Sequence, residues 1–103
     1  MTKYKGNVEE LIKRLGLTAP RITPEHIDNC VVDEAYYVFP GSLLTVCCLT
    51  LANGFTVTGE SACVSPDNFN QGIGEKVAFG KARDKIGALE GYLLKQALYN
   101  KEN

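Results

Sequence analysis

The chain has no run of about 18 apolar residues, so nothing in it reads as a transmembrane helix. Its first residues, MTKYKGNVEELIKR, carry no apolar stretch of the kind a secretory signal needs. A cationic excess is also missing: 11 Lys and Arg stand against 12 Asp and Glu, for a formal charge of −1. A protein that holds nucleic acid by bulk electrostatics would be strongly basic, so nucleic acid is not an expected partner. There is one histidine, His26, and no CxxC spacing among Cys30, Cys47, Cys48 and Cys63. A cysteine protease, a zinc enzyme or a redox motif is therefore not expected. No GxSxG nucleophile elbow occurs. The GxG at Gly72-Ile73-Gly74 lies inside a helical pattern rather than after a strand, so it fails the dinucleotide-binding context. Glu60, Glu75, Asp84 and Glu90 are scattered and read as surface or cap groups. The expectation is a non-enzymatic protein with no metal and no cofactor, not associated with a membrane and most simply cytosolic.

What is present is ordinary globular material. The chain has 103 residues, 45% hydrophobic and 22% charged, enough for a single domain over 1–103 and too little for two. Val8, Leu11, Ile12 and Leu15 lie at helical spacing behind Asn7 as N-cap, and Gly16 stops that helix. Thr23-Pro24-Glu25-His26 has the N-cap and first-turn proline of another short helix. Residues 31–39, VVDEAYYVF, are β-branched and aromatic and read as a strand, with Tyr36 and Tyr37 sending one ring to each face. Segments 43–52 and 55–64 flank Asn53-Gly54 and predict a hairpin on a two-residue type I′ turn, with Thr50 opposite Val57. In that register neither face of the hairpin is properly polar, so both must be covered. Adjacent Cys47 and Cys48 would then point to opposite faces and read as buried, reduced thiols. Ser65-Pro66 reads as the start of a helix to about Ile86. The pattern pauses at Gly87-Ala88 and resumes over 89–98 as a second C-terminal helix. Both helices carry two apolar facets, which a small chain has too little core to bury, so self-association is expected. The fold class is α+β: a small antiparallel sheet, two C-terminal helices and an N-terminal helix, in an oligomer.

Two constellations could hold a ligand. On the 66–86 helix, Lys76, Phe79, Gly80 and Arg83 fall at i, i+3, i+4 and i+7, over roughly 10.5 Å. Two cations with a ring between them suit a compact anion carrying phosphates and a flat base. The bland alternative is a solvated pair of cations with Phe79 in the core. The second cluster is Pro66-Asp67-Asn68-Phe69-Asn70-Gln71, at a helix start, where free backbone N–H groups attract anions. Here the alternative is ordinary capping. Arg21 is a lone loop arginine able to reach a neighbouring subunit's ligand.

Resemblance adds a further layer. The stretches TVCCLTLANGFTVTGESAC, SPDNF and ARDKI…LEGYLL, within Arg21 to Leu94, resemble the small phage-protein family named after coliphage gene-49 and gene-66 products. One departure is Gly87-Ala88, where the family pattern has Trp-Pro. The resemblance extends to the phage anti-Thoeris sponges, and what it implies is specific. Such proteins pair a small sheet with two C-terminal helices, form oligomers, and hold ligand in pockets between protomers. They sequester cyclic ADP-ribose-type signals made by bacterial TIR-domain immune proteins, without cleaving them, and some hold cyclic oligonucleotides at separate sites. By motif, the resemblance implies Arg83 in ARDKI and Asn68 in SPDNF as ligand contacts, with Phe55 after Asn-Gly as the stacking ring. Lys76, Phe79 and Arg21 are added on charge and geometry alone. The expected function is a phage anti-defence protein acting in the host bacterial cytoplasm. The competing expectation is a phage early protein that binds and inhibits a host protein.

Overall fold

The computed structural model describes residues 7–102; positions 1–6 and 103 of the expected domain, including the first six residues of the segment read against a secretory signal, lie outside the described residues. Helix α1 spans Val8–Arg14, with the Asn7 side chain accepting from the Glu10 amide at 2.9 Å. Helix α2 spans Pro24–Cys30, with the Thr23 hydroxyl accepting from the His26 amide at 3.1 Å. Strands β1 (Val31–Val38), β2 (Leu44–Leu51) and β3 (Thr56–Ala62) then form one antiparallel sheet in the order β1-β2-β3. A short 3-10 turn, Pro66–Asn68, leads into helix α3, Gln71–Glu102.

The hairpin forms where the sequence places it, but its register differs by one residue. Leu49 faces Val57 and Thr50 faces Thr56, so Val57 does not pair with Thr50. The cause lies in the turn. A type I′ turn needs positive φ at both central residues. Of Asn53 and Gly54 only Gly54 has it (φ 89°); among the described residues no non-glycine residue does. The Gly54 amide donates to the Leu51 carbonyl, and the Leu51 amide donates to Phe55 O, each at 2.8 Å. The loop therefore takes three residues, Ala52 to Gly54, and ends on the left-handed glycine. A one-residue slip exchanges the faces of β3. Val57 and Gly59 join Thr45, Cys47, Leu49 and Leu51 on a buried face, while Thr56, Thr58 and Glu60 turn outward.

The C-terminal third is one helix of 32 residues, not two. Gly87 and Ala88 both keep a backbone N–H, so nothing at the junction removes an i→i−4 hydrogen bond. Glycine costs about 1 kcal/mol of propensity there without breaking the helix, as proline would. The start also differs. Ser65 caps only the 3-10 turn, Phe69 is extended (φ −71°, ψ 129°), and Asn70 caps α3 by accepting from the Ile73 amide at 2.9 Å. Ala78, Ala82 and Ile86, at i, i+4 and i+8, are the buried stripe of α3 and pack on β2 and β3. Small residues there let the backbones meet: a Cβ on Gly59 would collide with the Ala78 carbonyl oxygen and the Ala82 amide.

Ile27, Cys30, Val31, Tyr36 and Phe79 pack around this core, so Phe79 is half-buried against it. Of the four free cysteines only Cys47 is fully buried; Cys30, Cys48 and Cys63 are half-buried. The opposite face of the sheet carries Ala35, Tyr37, Leu44, Val46 and Cys48, with no described element packed over it. Tyr37 and Phe39 meet edge to face there, ring centres 4.9 Å apart. Tyr36 turns to the core and Tyr37 to this open face, as the alternation requires. The molecule is accordingly thin, 53 × 41 × 18 Å. Among the described residues, no helix is long and apolar enough to cross a membrane.

Candidate functional site

One recess lies where α3 begins. It is a cavity of about 170 Å³ lined by residues from β2, β3 and the 66–74 segment, among them Thr45, Ser61, Asn68, Asn70 and Gly74. The local sequence explains its shape. Pro66 and the extended Phe69 prevent one helix from running straight through, so the chain steps sideways before α3 starts. Gly74 then lets the first turn of α3 close over Thr45, whose Oγ1 would lie 3.0 Å from a Cβ at that position. Thr45 has no solvent exposure, and its hydroxyl has no hydrogen-bond partner. A buried hydroxyl left unpaired costs about 1–3 kcal/mol, which makes it unusual in a core. The positive end of a long helix dipole points at the same place. Together these groups can accept a small anionic or hydroxyl-rich moiety.

A second, wider trough runs along the outer side of β3. Its volume is about 550 Å³, and it is lined by Phe55, Thr56, Val57, Thr58, Lys85, Ala88, Leu89 and Tyr92. Phe55 and Tyr92 are 57% and 68% exposed, so two rings and one lysine stand ready for a flat ligand. The two recesses sit at opposite ends of β3, roughly 20 Å apart for a strand of this length.

The six residues singled out from sequence therefore separate into groups. Asn68 lines the recess at the start of α3, and Phe55 lines the distant trough. Lys76 is exposed, and Phe79 packs against the core. Arg83 Nε donates to Asp28 Oδ1 at 2.8 Å and its NH2 donates to the Pro24 carbonyl at 3.1 Å, tying α2 to α3. The Asp28 hydrogen bond holds the guanidinium in its charged form more firmly still, against the opposing effect of burial. Arg21 makes a two-pronged pair with Glu9, at 2.9 and 2.8 Å, across 12 residues of chain. Within the chain these side chains do not converge on a single ligand.

Three groups that sequence reasoning set aside do converge. His26 Nε2 lies 2.7 Å from Glu90 Oε1, and Cys30 sits beside the same carboxylate. Burial first, then the charge of Glu90, pushes the Cys30 thiol up. The signal was there in part, since His26 and Cys30 are four residues apart on a helix and share a face. Glu90, 60 residues further on, was not predictable as their neighbour.

A three-stranded antiparallel sheet crossed by one long helix, with a polar recess at that helix's start, defines a two-layer α+β protein. The chain belongs to the phage protein (N4 Gp49/phage Sf6 gene 66) family, whose family model matches residues 22–98. No curated protein and no solved structure matches the chain.

Proposed function

We propose that this phage protein binds cyclic nucleotide immune signals, cyclic ADP-ribose isomers or cyclic oligonucleotides, and sequesters them in the host cytoplasm without cleaving them. The observation that carries the reading is the recess at the start of α3, where a buried, unpartnered Thr45 hydroxyl, Asn68 and a helix N-terminus face one small cavity. A phosphate or a ribose edge fits those groups, because each offers what a phosphate oxygen or a sugar hydroxyl lacks when it leaves water. The cavity's 170 Å³ takes only part of such a ligand. A second copy of the chain completes the site, bringing a ring such as Phe55 to the base. The uncovered sheet face and the exposed Ile73, Val77, Leu89 and Leu93 of α3 supply apolar surface for that association. A sponge needs affinity without turnover, which asks of the recess only complementary polar groups.

The test is thermal unfolding of the purified protein against cyclic ADP-ribose isomers and cyclic di- and trinucleotides, with the ligand recovered afterwards. Ligand at about 100 times its Kd adds roughly 2.7 kcal/mol of stability. A shift with the ligand recovered intact supports sequestration; a shift with the ligand consumed makes the protein an enzyme. The absence of any shift favours the second reading, inhibition of a host protein. The specific observation behind that one is the bare sheet face bearing Tyr37, Phe39, Leu44 and Val46.

A further inference from the structure

We infer that His26, Cys30 and Glu90 form a binding site for a divalent transition metal, with Zn²⁺ the ion that suits them. Helix α2 brings the first two ligands to one face at i and i+4, and α3 supplies the third. A ring nitrogen of His26, Cys30 Sγ and a Glu90 carboxylate oxygen all lie within 4.8 Å of one another. Tetrahedral zinc holds its ligands about 3.5 Å apart, from Zn–N and Zn–O bonds near 2.1 Å and Zn–S near 2.3 Å. Side-chain rotation alone closes that difference, since His26 and Glu90 are only partly covered, at 49% and 21% exposed.

The donor set selects the metal. One imidazole, one thiolate and one carboxylate match a borderline cation and suit neither Mg²⁺ nor Ca²⁺, which take oxygen ligands. The charges also balance. On coordination the Cys30 S–H bond breaks, its proton passes to solvent, and the sulfur electron pair forms the S–Zn bond. Thiolate and carboxylate then neutralise the dication, while His26 binds as the neutral ring.

A second feature makes the trio more than a hydrogen-bonded contact. A cavity of about 210 Å³ opens against it, lined by Cys30, Leu51, Ala52, Asn53 and Glu90. With three protein ligands the fourth position of the ion faces this space and holds water or an incoming ligand atom. The site thus lies where α2, the hairpin loop and α3 come together, and occupancy clamps α2 against α3. This assignment does not depend on the nucleotide-binding reading.

Cobalt provides the direct probe. The protein, reduced and stripped of metal, is titrated with Co²⁺. A thiolate-to-cobalt charge-transfer band in the near ultraviolet is expected, saturating at one ion per chain and displaced by Zn²⁺. Zn²⁺ alone raises the unfolding temperature. C30S abolishes the band, whereas C63S, at another half-buried cysteine, keeps it. H26A, at a solvent-exposed position, weakens Co²⁺ binding about 100-fold or more, above the usual cost of losing an outer-shell partner. No charge-transfer band in the parent protein, a band that survives C30S, or undiminished affinity in H26A each overturns the assignment.

Discussion

Gly59 on β3 lies against the carbonyl of Ala78 on α3, so close that even a methyl group has no room between them. The contact is backbone to backbone, and neither partner can move aside by changing a rotamer. It fixes the depth at which α3 sits on the sheet, and with it the position of the α3 N-terminus over Thr45.

Gly59→Ala is therefore expected to destabilise the fold by about 3 kcal/mol, at the upper end of the cost of overpacking a core. Urea unfolding should show a lower midpoint with an unchanged slope. By contrast Gly80→Ala and Gly91→Ala, whose added Cβ meets nothing within 4 Å, should be neutral or mildly stabilising. Equal losses at all three positions would contradict the close approach.

Thr45→Val separates the cost of an unpaired hydroxyl from its use. Removing a buried group that has no partner should stabilise the ligand-free protein by about 1 kcal/mol. If the hydroxyl meets a ligand in the recess, the same variant should show a smaller thermal shift with the bound nucleotide. A destabilised T45V would mean the hydroxyl is satisfied in solution.

Arg83 needs a two-variant experiment, because its guanidinium is engaged with Asp28 and Pro24. Asp28 is 60% exposed, so the ion pair itself should contribute less than about 1 kcal/mol to stability. If Arg83 contacts ligand, Arg83→Ala weakens binding by about 1.5–3 kcal/mol, and Asp28→Asn leaves it intact. Calorimetric affinities of the two variants check this; unchanged affinity in R83A removes Arg83 from the site.

Tyr36 gives a pH signature. Burial, followed by the nearby Cys47 and Glu34, pushes its hydroxyl up to about 12 from the ordinary 10. Between those values the unfolded chain gives up the proton and the folded chain keeps it, so stability falls as pH rises through the window. The Cys47 thiol, also pushed up by burial, acts in the same direction from about pH 9. Urea midpoints between pH 9 and 12 should fall, and Tyr36→Phe should remove the part above pH 10. A flat profile in the parent protein would reject the argument.

Much of this fold is legible in the sequence wherever the signal is local. Asn7, Thr23-Pro24 and the Asn53-Gly54 turn each act within four residues, and the structure uses each of them. The departures have local causes that propagate. Whether Asn53 takes positive φ decides between a two- and a three-residue loop, and that one torsion moves Val57 from one sheet face to the other. The run of α3 through Gly87 depends on packing, because Ala82 and Ile86 are held against the sheet just before it and Gly87 itself sits beside Ile27. The site residues were harder still. Arg83, Lys76 and Phe79 share a helical line, but Arg83 is taken up by Asp28 and Pro24, more than 50 residues away, and Phe79 by the core, and spacing along one helix is blind to both. His26 and Glu90 meet for the same reason.

The unbroken α3 has a mechanical consequence. From Gly74 over the polar recess to Glu90 beside His26 the helix rises 1.5 Å per residue, setting the two places about 24 Å apart on a single rod. A proline at position 88 would insert a joint between them; Ala88 inserts none. The close approach of Gly59 to Ala78 therefore sets, through one continuous helix, where both places lie relative to the sheet.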